Sequence, residues 1–206
     1  MIGILGGTFD PVHRGHLQIA KQVSARLALR QLQLMPCALP VHRDQPHASP
    51  AQRCAMIELA IEGDSNLVLN TIELDRGGPS YSVDSLREIG RGTNETMVLV
   101  LGADAFNGFA GWKSPEEILQ LANLAVCYRP GIEVVQELYA ERRVSSSAEL
   151  CDHRAGGILL LEVDAPDCSS SAVRAALLAR QPVSGLLTPA VADYIDQHNL
   201  YRKPGD

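Results

Sequence analysis

Residues 1–16, MIGILGGTFDPVHRGH, join an apolar run to a glycine-rich turn and then to the start of a longer amphipathic segment. The apolar run at 1–5 is typical of a buried strand. Helical periodicity follows in residues 14–30, where four apolar side chains share one face: Leu17, Ala20, Val23 and Leu27. The stretch therefore predicts a strand, a tight turn and a helix in succession.

The same alternation continues along the chain. Further strands are predicted at 31–36, 66–70, 97–101, 124–128 and 157–163. Further helices are predicted at 50–62, 82–90, 115–121, 170–180 and 189–197. Strand and helix in repeated succession predict an α/β fold, a Rossmann-like doubly wound parallel sheet with helices on both faces, built as a single domain over residues 1–206.

Two segments are predicted to be loops. Residues 36–50, PCALPVHRDQPHASP, contain four prolines and two histidines and are long for a connection, so we expect a loop that covers a ligand. Residues 143–156, RVSSSAELCDHRAG, are polar, and we expect a mobile loop there.

Composition excludes several classes of protein. The 206 residues are 46% hydrophobic and 20% charged, which is typical of a globular fold. A formal charge of −6 argues against a nucleic-acid-binding surface. The five cysteines are an odd number without a C-x-x-C pair, so neither a disulfide framework nor a zinc knuckle is indicated. Without a basic leader or a membrane-length apolar run, we expect a cytoplasmic protein that binds neither nucleic acid nor membrane.

Ligands of open parallel sheets bind beyond the carboxyl ends of the strands, where the strand order reverses. The segments that follow strands 1–5 and 97–101 are therefore the first places to seek a site. Gly6 and Gly7 before Pro11 form a turn whose backbone N–H groups could approach a phosphate. The spacing matches neither the dinucleotide fingerprint nor the P-loop.

His13 and His16 lie at this turn, three positions apart. They could bind a metal, act as a base, hold a phosphate or simply stabilise the turn. A metal site would need a third ligand, and the H-E-x-x-H pattern of zinc proteases is absent.

A second polar stretch, CSSSAVRAALLAR, occupies residues 168–180. Ser169 is a good N-cap, and Ser170 and Ser171 share a helix face with Arg174. A cation this close to a helix N-terminus opposes the helix dipole, so we expect a negative group nearby. The alternative is an ordinary capped helix with an arginine that points outward.

Together, GGTFDPVHRGH and CSSSAVR resemble the two signatures of the nucleotidylyltransferase superfamily, G-x-F-D-P-x-H-x-G-H and I-S-S-T-x-x-R. Along nearly its whole length the chain resembles the bacterial nicotinate-nucleotide adenylyltransferases, through stretches such as IELDRGGPSYSVDSL, GWKSPEEIL and LTPAVADYIDQHNLYR. It departs from the family pattern at Cys168, at Ser171 and at Val41, which replaces a proline before His42.

The resemblance implies transfer of AMP from ATP to nicotinate mononucleotide, giving deamido-NAD and pyrophosphate in NAD biosynthesis, with Mg²⁺ held mainly by the substrate phosphates. It implies small-molecule substrates and a monomer or small homo-oligomer. Transfer to phosphopantetheine and a catalytically silent nucleotide sensor are the alternatives. Because the attacking phosphate is already ionised, with a second pKa of about 6, direct in-line attack needs no general base, and this favours a phosphate-holding role for the histidines.

The resemblance also assigns residues to roles. The residues expected to contact the reacting phosphates are His13, His16 and Arg174. Those expected to bind ATP are Gly6, Gly7, Thr8, Phe9, Gly102, Asp104, Ser169, Ser170 and Ser171. Those expected to bind nicotinate mononucleotide are His42, Arg43, Tyr81, Ser82, Trp112 and Lys113. Trp112 could stack on the pyridine ring or instead pin the core, and no protein ligand set for a metal is expected.

Overall fold

A computed structural model describes residues 1–41, 44–135 and 137–202. Its strands are β1 (Ile2–Gly7), β2 (Gln31–Pro36), β3 (Leu67–Leu69), β4 (Met97–Gly102), β5 (Asn123–Tyr128), β6 (Arg143–Val144) and β7 (Ile158–Glu162). They form one sheet in the order β3-β2-β1-β4-β5-β7-β6, and every pairing is parallel. The predicted sheet is confirmed.

The helices lie between the strands and after the last one. They are α1 (Arg14–Arg26), α2 (Pro50–Ile61), α3 (Ile72–Arg76), α4 (Ser82–Arg91), α5 (Ala103–Asn107), α6 (Pro115–Leu121), α7 (Ser147–Asp152), α8 (Ser170–Leu178) and α9 (Pro189–Gln197). The predicted helix at 14–30 ends earlier, at Arg26, because Ala28 takes a left-handed conformation with φ of 46°. Within the described ranges, none of the helices has the length and apolar character needed to cross a bilayer.

Two apolar cores cover the two faces of the sheet, because side chains alternate in direction along each strand. Ile2 and Ile4 of β1 pack with Leu86 of α4 in one core, which also contains residues of α5 and α6. Leu5 of β1 packs with Ala20 of α1 in the other, which also contains residues of α2, α8 and α9. Helices on both faces of a parallel sheet are the doubly wound architecture predicted from the sequence.

The expectation of a mobile loop at 143–156 is wrong. Residues 143–144 form the edge strand β6 beside β7, and α7 follows directly. The Ser146 hydroxyl accepts a hydrogen bond from the Glu149 N–H and caps α7, while Leu150 is fully buried. One buried leucine and a capping serine suffice to order a short polar segment, and periodicity cannot detect so short a helix.

The predicted loop at 36–50 is confirmed for the part that the structure describes. Between β2 and α2, residues 37–41 and 44–49 form neither helix nor strand apart from a single bridge between Leu39 and Pro79. Ser80 strengthens that bridge, because its hydroxyl accepts a hydrogen bond from the Ala38 N–H at 2.8 Å. The loop beyond β2 is thereby tied to the segment that leads into α4.

The strand order reverses between β1 and β4. From β1 the chain builds outward through β2 and β3, and it then crosses to β4 and continues to the opposite edge. β1 and β4 are hydrogen-bonded neighbours, with Leu5 aligned to Val100. Their carboxyl ends, at Gly7 and Gly102, therefore open side by side at the switch point where ligands of such sheets bind.

Candidate active site

The turn after β1 leaves its backbone accessible. Gly6 is exposed, and a Cβ added there would meet only the Met35 side chain, at 3.8 Å. Phe9 lies in the left-handed region with φ of 50°, an uncommon conformation for a bulky residue, and its ring is buried. The chain thus turns sharply at Phe9 and leaves the Gly6 backbone exposed, while the anion site expected at this turn stays a prediction.

The two histidines lie against each other at the start of α1. Their ring centroids are 3.7 Å apart and the rings are nearly parallel, while the His16 ring meets Phe9 edge-on at 4.9 Å. The His13 backbone N–H donates to Nδ1 of His16 at 3.3 Å. Because Nδ1 accepts, the neutral His16 ring carries its hydrogen on Nε2, where it can donate to an acceptor.

The His13 ring is uncharged near neutral pH. Burial lowers the pKa of His13 from 6.5 to about 4, because the charged imidazolium would lose its hydration. Its Nδ1 has no hydrogen-bond partner among the described residues. A Cβ on Gly15 would lie 3.0 Å from that Nδ1, so a glycine at position 15 makes room for the ring.

The start of α8 docks on the turn after β1, more than 150 residues away in sequence. Ser169 caps the helix, as predicted, by accepting from the Ala172 N–H at 3.1 Å. The Ser170 hydroxyl donates to the Pro11 carbonyl at 2.9 Å, and Nη1 of Arg174 donates to the Asp10 carbonyl at 2.7 Å. The structure thereby brings Arg174 to the turn that carries both histidines.

The negative group expected beside Arg174 belongs to the chain itself. Oδ2 of Asp10 lies 3.7 Å from Nη1 of Arg174. The arginine is therefore not an outward-pointing residue of an ordinary capped helix, and its side chain remains 24% exposed. Nε and Nη2 of Arg174 have no partner within the described ranges, which leaves two sides of the guanidinium for an anion.

Asp10 is a buried carboxylate that the sequence reasoning missed. It accepts hydrogen bonds from the backbone N–H groups of His47 and Ala48 and from the Tyr201 hydroxyl, at 2.8 to 2.9 Å. Burial alone would raise the pKa of Asp10, but these hydrogen bonds outweigh it and hold the pKa below its ordinary value. Asp10 belongs to the opening motif GGTFDPVHRGH, but its partner Tyr201 lies 191 positions away in the sequence.

Arg53 is a second missed residue. Its side chain is buried at 1% exposure, and its guanidinium donates to the Thr8 carbonyl at 2.8 Å and the Cys37 carbonyl at 2.7 Å. The ends of β1 and β2 are joined through this one side chain. A signal was present in the sequence, because Arg53 shares the apolar face of α2 with Met56 and Ile57 at helical spacing.

Four of the residues expected to bind the mononucleotide, Tyr81, Ser82, Trp112 and Lys113, form a separate group near the start of α4. Nζ of Lys113 lies 4.3 Å from the centre of the Tyr81 ring and donates to Asp84 at 2.8 Å. Ser82 is the first residue of α4. Trp112 packs on the buried Phe109 ring with centroids 5.5 Å apart, so it contributes to the core while part of its side chain stays exposed.

The other predicted site residues lie at the carboxyl edge of the sheet or outside the residues that the structure describes. Gly102 ends β4, and Asp104 is exposed in the first turn of α5. Ser171 is exposed in the first turn of α8. His42 and Arg43 lie outside the described residues. In the described ranges no three side chains among histidine, cysteine, aspartate and glutamate converge on one point where a metal could bind.

A cavity of about 360 Å³ opens beyond the carboxyl ends of β5 and β7. Arg129, Ile132, Val163 and Asp167 are among its lining residues. Nη1 of Arg129 donates to the Asp167 carboxylate at 2.7 Å, which fixes the planar guanidinium at the rim. The cavity lies at the same edge of the sheet as Gly102, because Gly102 is aligned with Cys127 of β5.

Comparison with known proteins places the chain in a family. Residues 4–176 match the family model described as cytidylyltransferase-like. A relative from Chromobacterium violaceum is 38% identical over 98% of both chains, and one from Methylococcus capsulatus is 40% identical over 98% of this chain and all of the other. Both relatives carry the name "Probable nicotinate-nucleotide adenylyltransferase".

A solved structure agrees with this assignment at the level of the fold. The nicotinic acid mononucleotide adenylyltransferase of Plasmodium falciparum, complexed with NaAD, superposes with a TM-score of 0.78 at 18% identity, covering 97% of this chain and 96% of the other. The full-length similarity to the named relatives goes further than the fold. The chain belongs to the nicotinate-nucleotide adenylyltransferases, a family of nucleotidyltransferases with the cytidylyltransferase-like fold.

Proposed function

We propose that this protein transfers AMP from ATP to nicotinate mononucleotide, releasing pyrophosphate and forming deamido-NAD for NAD biosynthesis. The observation that carries the proposal is the docking of α8 on the turn after β1. Hydrogen bonds from Ser170 to Pro11 and from Arg174 to Asp10 hold a cation at the turn that leads into the stacked pair of His13 and His16. Three donors thus line one glycine-rich turn at the switch point of the sheet.

The reaction is a direct in-line displacement without a covalent enzyme intermediate. An oxygen of the mononucleotide 5′-phosphate forms a bond to the α-phosphorus of ATP. The bond from that phosphorus to the bridging oxygen breaks, and its electron pair leaves with pyrophosphate. Because the attacking phosphate is largely dianionic at pH 7, no side chain has to remove a proton. Positioning and electrostatic stabilisation then supply the catalysis.

The protein's contribution follows from the donors at the turn. His13 is neutral, with a pKa of about 4, so it contributes an N–H dipole without adding a charge. His16 presents its Nε2 hydrogen, since its Nδ1 accepts from the backbone of His13. Arg174 supplies the positive charge that offsets the charge developing on pyrophosphate. Gly6, Gly7, Thr8 and Phe9 form the turn over which the triphosphate lies, and Ser169 and Ser171 border it at the start of α8.

Mg²⁺ would enter with ATP. The described residues fit this view, because Asp104 is an exposed carboxylate at the site edge whereas Asp10 is buried and occupied by other donors. Mg²⁺ commonly keeps several waters and binds through substrate phosphates plus one or two carboxylates. When bound, the ion neutralises part of the charge on the phosphates.

The two substrates approach the turn from different sides. The adenosine part of ATP would lie near Gly102, Asp104 and the cavity that Arg129 borders. The pyridine ring of the mononucleotide would lie near Tyr81, Ser82 and Trp112. The ring's carboxylate would be attracted by Lys113, whose side chain is 45% exposed.

The proposal is tested by measuring pyrophosphate release from Mg-ATP with four acceptors in parallel: nicotinate mononucleotide, nicotinamide mononucleotide, phosphopantetheine and none. We expect turnover with nicotinate mononucleotide, and preference for the acid over the amide because Lys113 favours an anionic ring substituent. Turnover confined to phosphopantetheine, or none with any acceptor, would contradict the proposed function. Omission of Mg²⁺ should abolish turnover.

A further inference from the structure

We propose that Tyr201, near the C-terminus, is a positioning residue for Arg174: by donating to Asp10, it keeps the Asp10 carboxylate from drawing the arginine away from the phosphates. The inference deepens the proposed function and rests on it, since Arg174 is the residue assigned there to the leaving pyrophosphate. Tyr201 lies four residues beyond the end of α9, and its hydroxyl reaches Oδ1 of Asp10 at 2.8 Å.

The Asp10 side chain is 3% exposed, so lost protein donors cannot readily be replaced by bulk water. Its Oδ1 is shared between the Ala48 N–H and the Tyr201 hydroxyl. Its Oδ2 accepts from the His47 N–H at 2.8 Å and lies 3.2 Å from Nδ1 of the His47 ring. Four donor positions therefore surround the carboxylate, and only the hydroxyl comes from the C-terminal segment.

Arg174 is held close to this carboxylate without forming a tight ion pair with it. Nη1 donates to the Asp10 carbonyl at 2.7 Å and stays 3.7 Å from Oδ2. If the tyrosine hydroxyl were removed, Oδ1 would lose a donor, and the permanently charged Arg174 guanidinium, 3.7 Å from Oδ2, could move in to compensate. A full ion pair with Asp10 would turn the guanidinium toward the protein and away from a bound phosphate.

The electrostatics agree with this geometry. Burial and the neighbouring Asp10 carboxylate both raise the pKa of the Tyr201 phenol, so it stays protonated and acts as a donor. Arg174 and Arg53 act in the opposite direction and lower the pKa of the phenol, so both cations are close enough to interact with it electrostatically. Tyr201 is thus a neutral donor placed among charged groups, and its hydroxyl serves Asp10 without adding a charge.

The experiment uses the full chain with Tyr201→Phe, which removes only the hydroxyl, and Tyr194→Phe as a matched control. Tyr194 lies on α9, and its ring contact is with His198, away from Asp10. We measure kcat and KM for both substrates, the melting temperature, and the calorimetric affinity for inorganic pyrophosphate. Tyr201→Phe should lower kcat about tenfold with KM for the mononucleotide unchanged, and should weaken pyrophosphate binding about tenfold, the effect of one misplaced charge-assisted hydrogen bond. Tyr194→Phe should change neither.

A double-mutant cycle tests whether the effect of Tyr201 on Arg174 runs through the charge of the Asp10 carboxylate. In an Asp10→Asn background the carboxylate charge that draws Arg174 is gone, so Tyr201→Phe should then change kcat and pyrophosphate affinity by less than about twofold. Full additivity of the two substitutions, or equal behaviour of Tyr201→Phe and Tyr194→Phe, would overturn the proposal. If the unmodified protein binds pyrophosphate but does not use nicotinate mononucleotide, the proposed function fails while the pyrophosphate cycle still decides the role of Tyr201.

Discussion

Two polar regions at the carboxyl edge of the sheet differ in how they are held. The buried frame, formed by Asp10, Arg53, Arg174 and Tyr201, supports the turn after β1 and joins it to α2, α8 and the C-terminal segment. The Asp84 cluster consists of surface ion pairs between α4 and the region around α6, made by Asp84, Arg87, Lys113 and Glu117. Asp10 is 3% exposed, whereas Lys113 is 45% exposed.

This difference in burial has consequences for function. Each hydrogen bond of the buried frame is expensive to break, because the group left behind cannot be hydrated. Exposed ion pairs are screened by solvent and typically contribute less than about 1 kcal/mol each. The frame can therefore fix the residues that we propose to hold phosphate, while the Asp84 cluster leaves Tyr81 and Lys113 freer to adjust to the second substrate that we propose for them.

The largest expected effect is a loss of turnover when a hydrogen-bond donor is removed from the turn that the buried frame supports. His16→Ala should lower kcat by roughly 10²–10³-fold, the loss typical of one donor to the transition state, with the fold intact by circular dichroism. Lys113→Met, in the exposed cluster, should leave kcat within about twofold and raise KM for nicotinate mononucleotide by about three- to tenfold. Equal losses of kcat in the two variants would remove the functional distinction between the regions.

A smaller effect is expected on stability when the arginine of each region is replaced. Arg53→Met leaves the Thr8 and Cys37 carbonyls without their donor, so the free energy of unfolding should fall by about 2–4 kcal/mol. Arg87→Met breaks exposed contacts to Asp84 and Glu117, which solvent screens, and should lower the free energy of unfolding by clearly less than Arg53→Met does. Urea denaturation of both variants measures the difference, and a larger loss for Arg87→Met would show that burial is not the deciding factor.

The smallest effect concerns acid sensitivity. The folded-state pKa of His13, about 4, lies below its unfolded value of 6.5, so the unfolded chain binds the extra proton between these two pH values. Stability is therefore lost as the pH falls from 6.5 toward 4, and His13 should account for a loss of about 2 kcal/mol between pH 7.5 and pH 5. His13→Gln should reduce the slope of unfolding free energy against pH, measured by urea denaturation at pH 7.5 and pH 5, and an unchanged slope would contradict the lowered pKa of His13.

Most of the fold could be predicted because its signals are local. All six predicted strands are present, and five of the six predicted helices match to within two residues at each end. The sequence did not predict the two-residue strand β6 or the one- to two-turn helices α3, α5 and α7, because elements this short have no periodicity to detect. The capping role predicted for Ser169, in the second signature stretch, is likewise a local feature, and it is confirmed.

The buried frame could not be predicted in the same way. The roles of Asp10, Arg53 and Tyr201 depend on partners that only the fold brings close to them. Tyr201, for example, is 191 positions from Asp10 in the sequence. A lone arginine on an apolar helix face, such as Arg53, indicates a buried cation. Its acceptors are backbone carbonyls, however, and these cannot be identified from the sequence. The sequence could therefore propose where the site lies, but it could not predict the buried contacts that hold the turn there.

The central claim is that the turn after β1 and the start of α8 together hold the reacting phosphates. A crystal structure with a non-hydrolysable ATP analogue and nicotinate mononucleotide tests it most directly. We expect the triphosphate to contact the Gly6 and Gly7 backbone, the two histidines and Arg174, with the pyridine ring beside Trp112. A triphosphate bound elsewhere, for example at the Arg129 cavity with Arg174 still turned to Asp10 alone, would contradict the claim.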